Sequence, residues 1–353
     1  MDKQSLLNIF QQKESRKDTT NNAYATRLSG LAKRFGKYKE ETYDSWEFLN
    51  NVDDVIHFIC KVPNNRKDKN GENCIPNPAT QIGNINPIIE YLLLINEHIL
   101  ADEYLKIKKI IDDTIDNIYK KNNGLTQLQQ ENIISYEDLL NYCELIDKEI
   151  LSYDTKPILS HIDNWNIEDL KSIQILMRLY LLHPSRNEYA SLKFITLRDY
   201  KKLKAPELNY IVLGTKKSFI SITNYKMSEK YGVKLQEIVD KKLLKMLRVW
   251  RTKRTQQGTD NLFVLAKTGA QWENQNLCLV LTKFSKKLIN KNIGSTLIYK
   301  IVISEAGYSY DQAVKNDDFT SAIKFNEVLE KFAKSRGHSQ KVQKEFYKQT
   351  VSE

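Results

Sequence analysis

An imidazole and a phenol stand near the end of this chain at a spacing that could support chemistry. His338 lies between Gly337 and Ser339, and eight residues separate it from Tyr347 in Lys334-Ser-Arg-Gly-His-Ser-Gln-Lys-Val-Gln-Lys-Glu-Phe-Tyr347. A tyrosine oxygen can act as a covalent nucleophile, and a histidine can orient an anion or pass a proton. The same letters also fit a helix, a glycine stop and a second helix, so this segment alone leaves both readings open. Lys226, in Phe219-Ile-Ser-Ile-Thr-Asn-Tyr-Lys226-Met-Ser-Glu-Lys-Tyr-Gly232, adds an amine that taken singly reads as an exposed strand lysine.

Other candidates carry less. Gly214-Thr-Lys-Lys-Ser218 echoes a phosphate-binding loop but lacks its Gly-x-x-x-x-Gly-Lys-Ser/Thr frame, so it reads as a hairpin turn. Asp112, Asp113 and Asp116 share a helix and read as a solvated acidic face. His57, His98 and His161 show no partner spacing, and Cys60, Cys74, Cys143 and Cys278 form no CxxC pair. No metal and no cofactor are therefore expected. Scattered thiols fit a reduced, intracellular setting.

The elements that must position these groups fall into two parts. A helix is expected from Thr19 or Thr20, with Tyr24, Leu28, Leu31 and Phe35 at helical spacing, and another over 45–62. A polar loop over 63–77 precedes helical patterns over 86–99, 101–121 and 135–151. A boundary at 153–157 then separates an all-α domain, 1–152, from a second domain, 153–353. The second opens with an apolar helix over 167–182, then short β-like runs over 191–195, 210–213 and 219–223, the last two forming a hairpin, and a further possible strand over 261–265. Helices fill the rest. The expected class is mainly α with a small β-sheet (α+β), the sheet three-stranded and antiparallel.

Composition and charge narrow the partners. With 41% hydrophobic and 28% charged residues the chain is that of a folded protein, and no stretch is apolar enough to span a membrane. The formal charge of +10 is uneven: residues 151–353 hold 35 Lys+Arg against 20 Asp+Glu, and residues 1–150 hold 19 against 24. Within the first part, residues 1–40 hold nine Lys+Arg against four Asp+Glu. A basic second part calls for a polyanion, because cations that neutralise phosphates release counterions.

Taken together and in order, several segments resemble the tyrosine recombinase (phage-integrase-like) family, most closely its branch in large DNA viruses, virophages and related mobile elements. The His338 to Tyr347 spacing is similar to its last active-site box, and Asn224-Tyr-Lys226 to the hairpin that presents its catalytic lysine. Thr19-Thr-Asn-Asn-Ala-Tyr-Ala-Thr-Arg-Leu28 resembles the opening of a core-binding domain, and Glu131-Asn-Ile-Ile-Ser-Tyr-Glu-Asp-Leu-Leu140 a segment of the viral branch. The resemblance implies that Tyr347 attacks phosphorus to give a 3′-phosphotyrosine, that Lys226 protonates the leaving oxygen and that His338 orients the phosphate. It also implies two arginines on the non-bridging oxygens, and needs neither ATP nor metal.

Those arginines are where this chain departs. The family places the first in a pattern like Pro-Pro-Arg-Arg-x-Asp-Tyr; here His183-Pro-Ser-Arg-Asn-Glu-Tyr189 puts Ser185 at that position and Arg186 beside it. Gly294-Ser-Thr-Leu-Ile-Tyr-Lys300 fits the lead of the second box, including Thr296, but puts Tyr299 at the arginine position and Lys300 next. No arginine occurs between Arg254 and Arg336, so no small shift restores it. Losing one preorganised donor costs roughly 10²- to 10³-fold in rate, about 3–4 kcal/mol. Lys300 and Arg336 are the candidate substitutes.

The expected partner is double-stranded DNA, held in a two-domain clamp by Arg16, Lys17, Arg27, Lys216, Lys217, Arg251, Lys253, Arg254 and Arg336, with a homo-oligomer on DNA. Impaired cleavage is the leading expectation, an active recombinase using Tyr347 the alternative, and a structural virion or interaction protein the third. The setting would be intracellular and, for a viral protein, the host nucleus, a cytoplasmic replication site or the virion.

Overall fold

Short polar side chains set the helix starts in this chain. Asp2, Asn77, Thr126, Ser135, Ser160, Thr196 and Asp240 each accept a hydrogen bond from a first-turn backbone N–H, satisfying a donor the helix itself leaves orphaned. The computed structural model describes residues 2–13, 15–64, 67, 71–121, 124–226, 228–336 and 343. Two compact units divide between Lys121 and Asn122. At that division the charge separates completely: 122–353 holds 36 Lys+Arg against 26 Asp+Glu, hence the whole +10, and 1–121 holds 18 of each.

The first unit is helical: α1 (Lys3–Phe10), α2 (Asp18–Lys39), a 3-10 turn (Glu47–Asn50), α3 (Val52–Lys61), α4 (Pro78–Leu94) and α5 (His98–Lys121). Leu28, Leu31 and Phe35 of α2 meet Ile85, Ile88 and Leu92 of α4 in one core. The helix expected over 45–62 is broken at Asn51, whose φ −87°, ψ 69° is not helical. α4 starts earlier than the apolar pattern indicated, because Asn77 caps it and Pro78 occupies its first turn, where a missing N–H costs nothing.

The second unit begins about thirty residues before the expected boundary, with α6 (Gln127–Asn132) and α7 (Tyr136–Asp154). Both pack into it: Leu139, Tyr142 and Ile146 join the same core as α8 (His161–Leu182), and the Asn292 N–H donates to Asn132 Oδ1 at 2.7 Å. After a 3-10 turn (Asn187–Ser191) come β1 (Lys193–Thr196), α9 (Leu197–Tyr200), β2 (Tyr210–Leu213), β3 (Phe219–Ile222), α10 (Ser228–Tyr231) and β4 (Lys234–Glu237). α11 (Lys241–Gln256), α12 (Asn274–Ile289), α13 (Ser295–Lys315) and α14 (Phe319–Arg336) follow. Residues 297–303 of α13 are all buried, which places that helix in the centre of the core.

The sheet corrects the expected one. It has four strands in the order β1-β2-β3-β4 and is mixed: β1 pairs parallel with β2, and the other pairs are antiparallel. A parallel pair needs a long crossover, which residues 197–209 supply. The fourth strand, Lys-Leu-Gln-Glu, buries Lys234 and Gln236 instead of apolar residues, so its alternation was invisible as hydrophobicity. Residues 261–265 form only isolated bridges, Lys193 to Asn261 and Val264 to Gln271.

Candidate nucleic-acid interface

α8 ends at Leu182 because Pro184 disfavours helical geometry at His183, whose φ −143°, ψ 84° is not helical. The chain then turns inward, leaving Ser185 with no exposed surface. Ser185 Oγ lies 3.2 Å from the Ser335 carbonyl and 3.3 Å from Glu188 Oε2, sharing one proton between them. Ser335 Oγ donates back to the Pro184 carbonyl at 3.0 Å, and Arg336 Nη1 donates to the Ser185 carbonyl at 3.2 Å. The Arg336 guanidinium stands 4.2 Å over the Tyr299 ring. Ser295 Oγ, in the first turn of α13, donates to Asn187 Oδ1 at 2.6 Å. Segments 183–189, 294–300 and 334–336, far apart in sequence, thus meet through side chains.

The sheet contributes a lysine that sequence reasoning missed. Lys234, the first residue of β4, is buried, donates to the Ser335 carbonyl at 2.9 Å and lies 3.5 Å over the Tyr225 ring. Burial pushes its amine down to about 8; Arg186 and Arg336 push the same way, and Glu188 opposes them. Asn209 positions this end of the sheet. Its Oδ1 accepts from the N–H groups of Thr223 and Asn224 at 2.9 Å, and its Nδ2 donates to Ser191 Oγ at 3.0 Å and to the Asn224 carbonyl at 3.2 Å. One buried amide therefore ties the β3–β4 connection to the 183–191 segment. Nothing in the sequence marked it. Arg186, Lys234 and Arg336 against Glu188 leave an excess of positive charge in a setting of low polarisability, where an anionic oxygen is well held.

Of the residues named from sequence, His338 and Tyr347 lie outside the described residues. Lys226 is exposed in the turn after β3, and Arg186 is half-buried, its carbonyl accepting from the Tyr180 hydroxyl at 3.2 Å. Thr296 is exposed in the first turn of α13, and Tyr299 is fully buried. Lys300 points away from Arg336's partners: its amine bonds to the Gly124 carbonyl and, at 3.1 Å, to Gln129 Oε1. Burial, then Arg336, lowers it to about 8.

Several of the expected DNA contacts make bonds within the protein, Arg27 among them although it is exposed. Arg254 has no exposed surface, pairs with Glu168 at 2.6 Å and donates to the Leu262 carbonyl at 3.2 Å. Lys253 also pairs with Glu168 and lies 4.6 Å over Trp250. Arg336 is buried as described. In the first unit, Arg16 pairs with Glu90 against the Tyr24 ring, and Arg27 donates to the Gly83 carbonyl at 2.8 Å. Lys17, Lys216 and Lys217 are exposed, and Arg251 lines a cleft with Arg198, Lys201 and Arg248, three cations not singled out from sequence. Among the described residues no three metal-ligating side chains cluster, and no helix is long and apolar enough to cross a membrane.

No family model matches the chain, and no curated protein matches it. Among solved structures the chain is similar to one described as the crystal structure of XerA recombinase, with a TM-score of 0.39 and 12% identity, covering 99% of this chain and 94% of that chain. A likeness of that size carries no argument about this chain.

Proposed function

We propose that this chain is a double-stranded-DNA-binding protein of the tyrosine recombinase type in which strand cleavage is impaired. The observation that carries the reading is the meeting of 183–189, 294–300 and 334–336, the segments that the resemblance had singled out on sequence alone, around Arg336 and Tyr299. The concentration of the whole +10 in 122–353 supports a polyanionic partner. Tyr347 would be the nucleophile, His338 and Arg186 the phosphate-holding groups and Lys226 the proton donor, in an oligomer formed on DNA.

Impairment follows from how the arginine positions are filled. Ser185 is engaged with Ser335, and Lys300 is turned to Gly124 and Gln129. Arg336 brings a guanidinium to Tyr299, but it is 4% exposed and already bonded to Ser185. With no arginine at either family position, the rate deficit is on the order of 10⁴-fold at roughly 10²-fold each, less what Arg186, one place along from Ser185, restores.

A gel shift over a salt series and a nicked suicide substrate test this. Binding should weaken steeply with salt, covalent adduct should be absent or very slow, and Tyr347→Phe should leave binding unchanged. Affinity indifferent to salt would defeat the DNA-binding reading and favour a structural role. Fast, stoichiometric adduct that Tyr347→Phe abolishes would instead establish an active recombinase.

A further inference from the structure

The same sheet carries a second concentration of positive charge at its other end. β1 and β2 both finish there, at Thr196 and Leu213, whereas Lys234 and the Asn209 tie belong to the end where β2 and β4 begin. Four residues of strand, at about 3.3 Å each, put roughly 13 Å of sheet between the two ends.

Between α9, the β2–β3 turn and α11 lies a cleft of about 960 Å³, lined by Arg198, Lys201, Arg248 and Arg251 with Thr215 and Thr252. α11 carries seven Lys and Arg and no carboxylate. Three of the seven are ion-paired: Lys242 with Asp147 at 3.5 Å, and Lys253 and Arg254 with the single carboxylate of Glu168. Lys241, Lys245, Arg248 and Arg251 have no carboxylate within 4.0 Å among the described residues. Asp199, the nearest acid of α9, is engaged by Thr196 at 2.6 Å and Lys202 at 3.2 Å. The wall of the cleft is fixed, since Arg248 Nη2 donates to the Gly214 carbonyl at 3.1 Å.

Uncompensated like charges repel one another, and a polyanion relieves that repulsion. Lys241, Lys245 and Arg248 repeat at helical spacing on one face, and the row to Arg251 is roughly 15 Å long at 1.5 Å per residue. That length matches about four phosphates of one strand at 3.4 Å rise. A small phosphorylated molecule would fill the cleft without reaching Lys241 and Lys245; a backbone uses the whole row.

We propose that the α9–α11 cleft and the basic face of α11 hold a stretch of nucleic-acid phosphate backbone, additional to the one at the converged segments. The identity of the polyanion rests on the DNA-binding reading; the site does not depend on the cleavage chemistry.

The test measures duplex affinity of the full chain from 50 to 200 mM salt. Arg248→Gln with Arg251→Gln should reduce the slope of log K against log salt by about 1.8, at about 0.9 per lost phosphate contact, so the affinity lost across that range becomes about tenfold smaller. Lys201→Gln, Lys241→Gln and Lys245→Gln together, all exposed, should reduce it further and guard against disturbance of the turn by Arg248, with circular dichroism checking the fold. Unchanged slopes in both variants overturn the proposal while leaving DNA binding standing. No affinity of the wild type for any DNA overturns both. Tight pyrophosphate binding that Arg248→Gln with Arg251→Gln abolishes, with the DNA slope unmoved, makes this a small-ligand site and overturns the proposal as well.

Discussion

Arg336 offers the sharpest test of how the three segments hold together. Replacing it with Met keeps the length and removes the charge. The charged hydrogen bond to the Ser185 carbonyl is worth about 1.5–3 kcal/mol and a desolvated cation over an aromatic ring about 2 kcal/mol. Withdrawing a charge that is 4% exposed returns several kcal/mol of desolvation, so the single variant mixes opposing effects of similar size. A double-mutant cycle isolates the ring contact: Arg336→Met and Tyr299→Leu should couple by about 1–2 kcal/mol, and Tyr299→Phe, which keeps the ring, should retain most of the partnership. Urea unfolding followed by tryptophan fluorescence reads it, because Trp165, Trp250 and Trp272 all lie in 122–353 and Trp46 alone, in the first unit, needs replacing by Phe. At a slope of about 3 kcal/mol per molar urea, a coupling of 1.5 kcal/mol is about 0.5 M in midpoint. A coupling below about 0.3 kcal/mol would refute the stacked arrangement.

Arg254→Leu should destabilise the second unit by about 3–5 kcal/mol, since it strands Glu168, 8% exposed, with Lys253 alone, and it should leave the DNA affinity of folded protein unchanged. Weakened DNA binding at full stability would contradict that. Stability of the second unit should rise between about pH 8 and 9: Lys234 and Lys300 titrate near 8 when folded and near 10.5 when unfolded, so the unfolded chain binds more protons there. Above that range burial holds the proton on the Cys143 thiol, pushed up to about 12, and on the phenols of Tyr142 and Tyr189, which reverses the trend. Urea midpoints at pH 7.5 and 9 check this, and a Lys234→Met, Lys300→Met variant should lose the rise. Gly214→Ala should cost about 1–3 kcal/mol in thermal melts, because its Cβ would sit 2.5 Å from the Lys217 carbonyl oxygen; an unchanged midpoint would mean the turn has slack.

Local signals were readable wherever the cause was local. The spacing of Leu28, Leu31 and Phe35 marked α2, Ser135 marked the start of α7, and the runs flanking Gly214–Ser218 marked the β2–β3 hairpin. What escaped depends on distant partners. The division at 121/122 is set by α6 and α7 packing onto elements more than a hundred residues later, as in the Asn132 to Asn292 bond, while the sequence showed only another helical pattern. Charge is countable in a sequence but its location is not: Arg254 reads as a surface cation because Glu168, its partner, lies far back in the chain. The meeting of Ser185 with Ser335 and Arg336 was implied only by family resemblance, and Lys234 was hidden because Lys226 was the closer match to the family's lysine.

The Asn209 tie has a bearing on how the molecule responds to its surroundings. An uncharged amide with both ends engaged does not titrate and is indifferent to ionic strength, whereas any grip on phosphate from Lys226 or Arg186 is electrostatic. On the proposed reading, brine that releases DNA leaves this end of the sheet in shape, ready for reloading on dilution, without a refolding step.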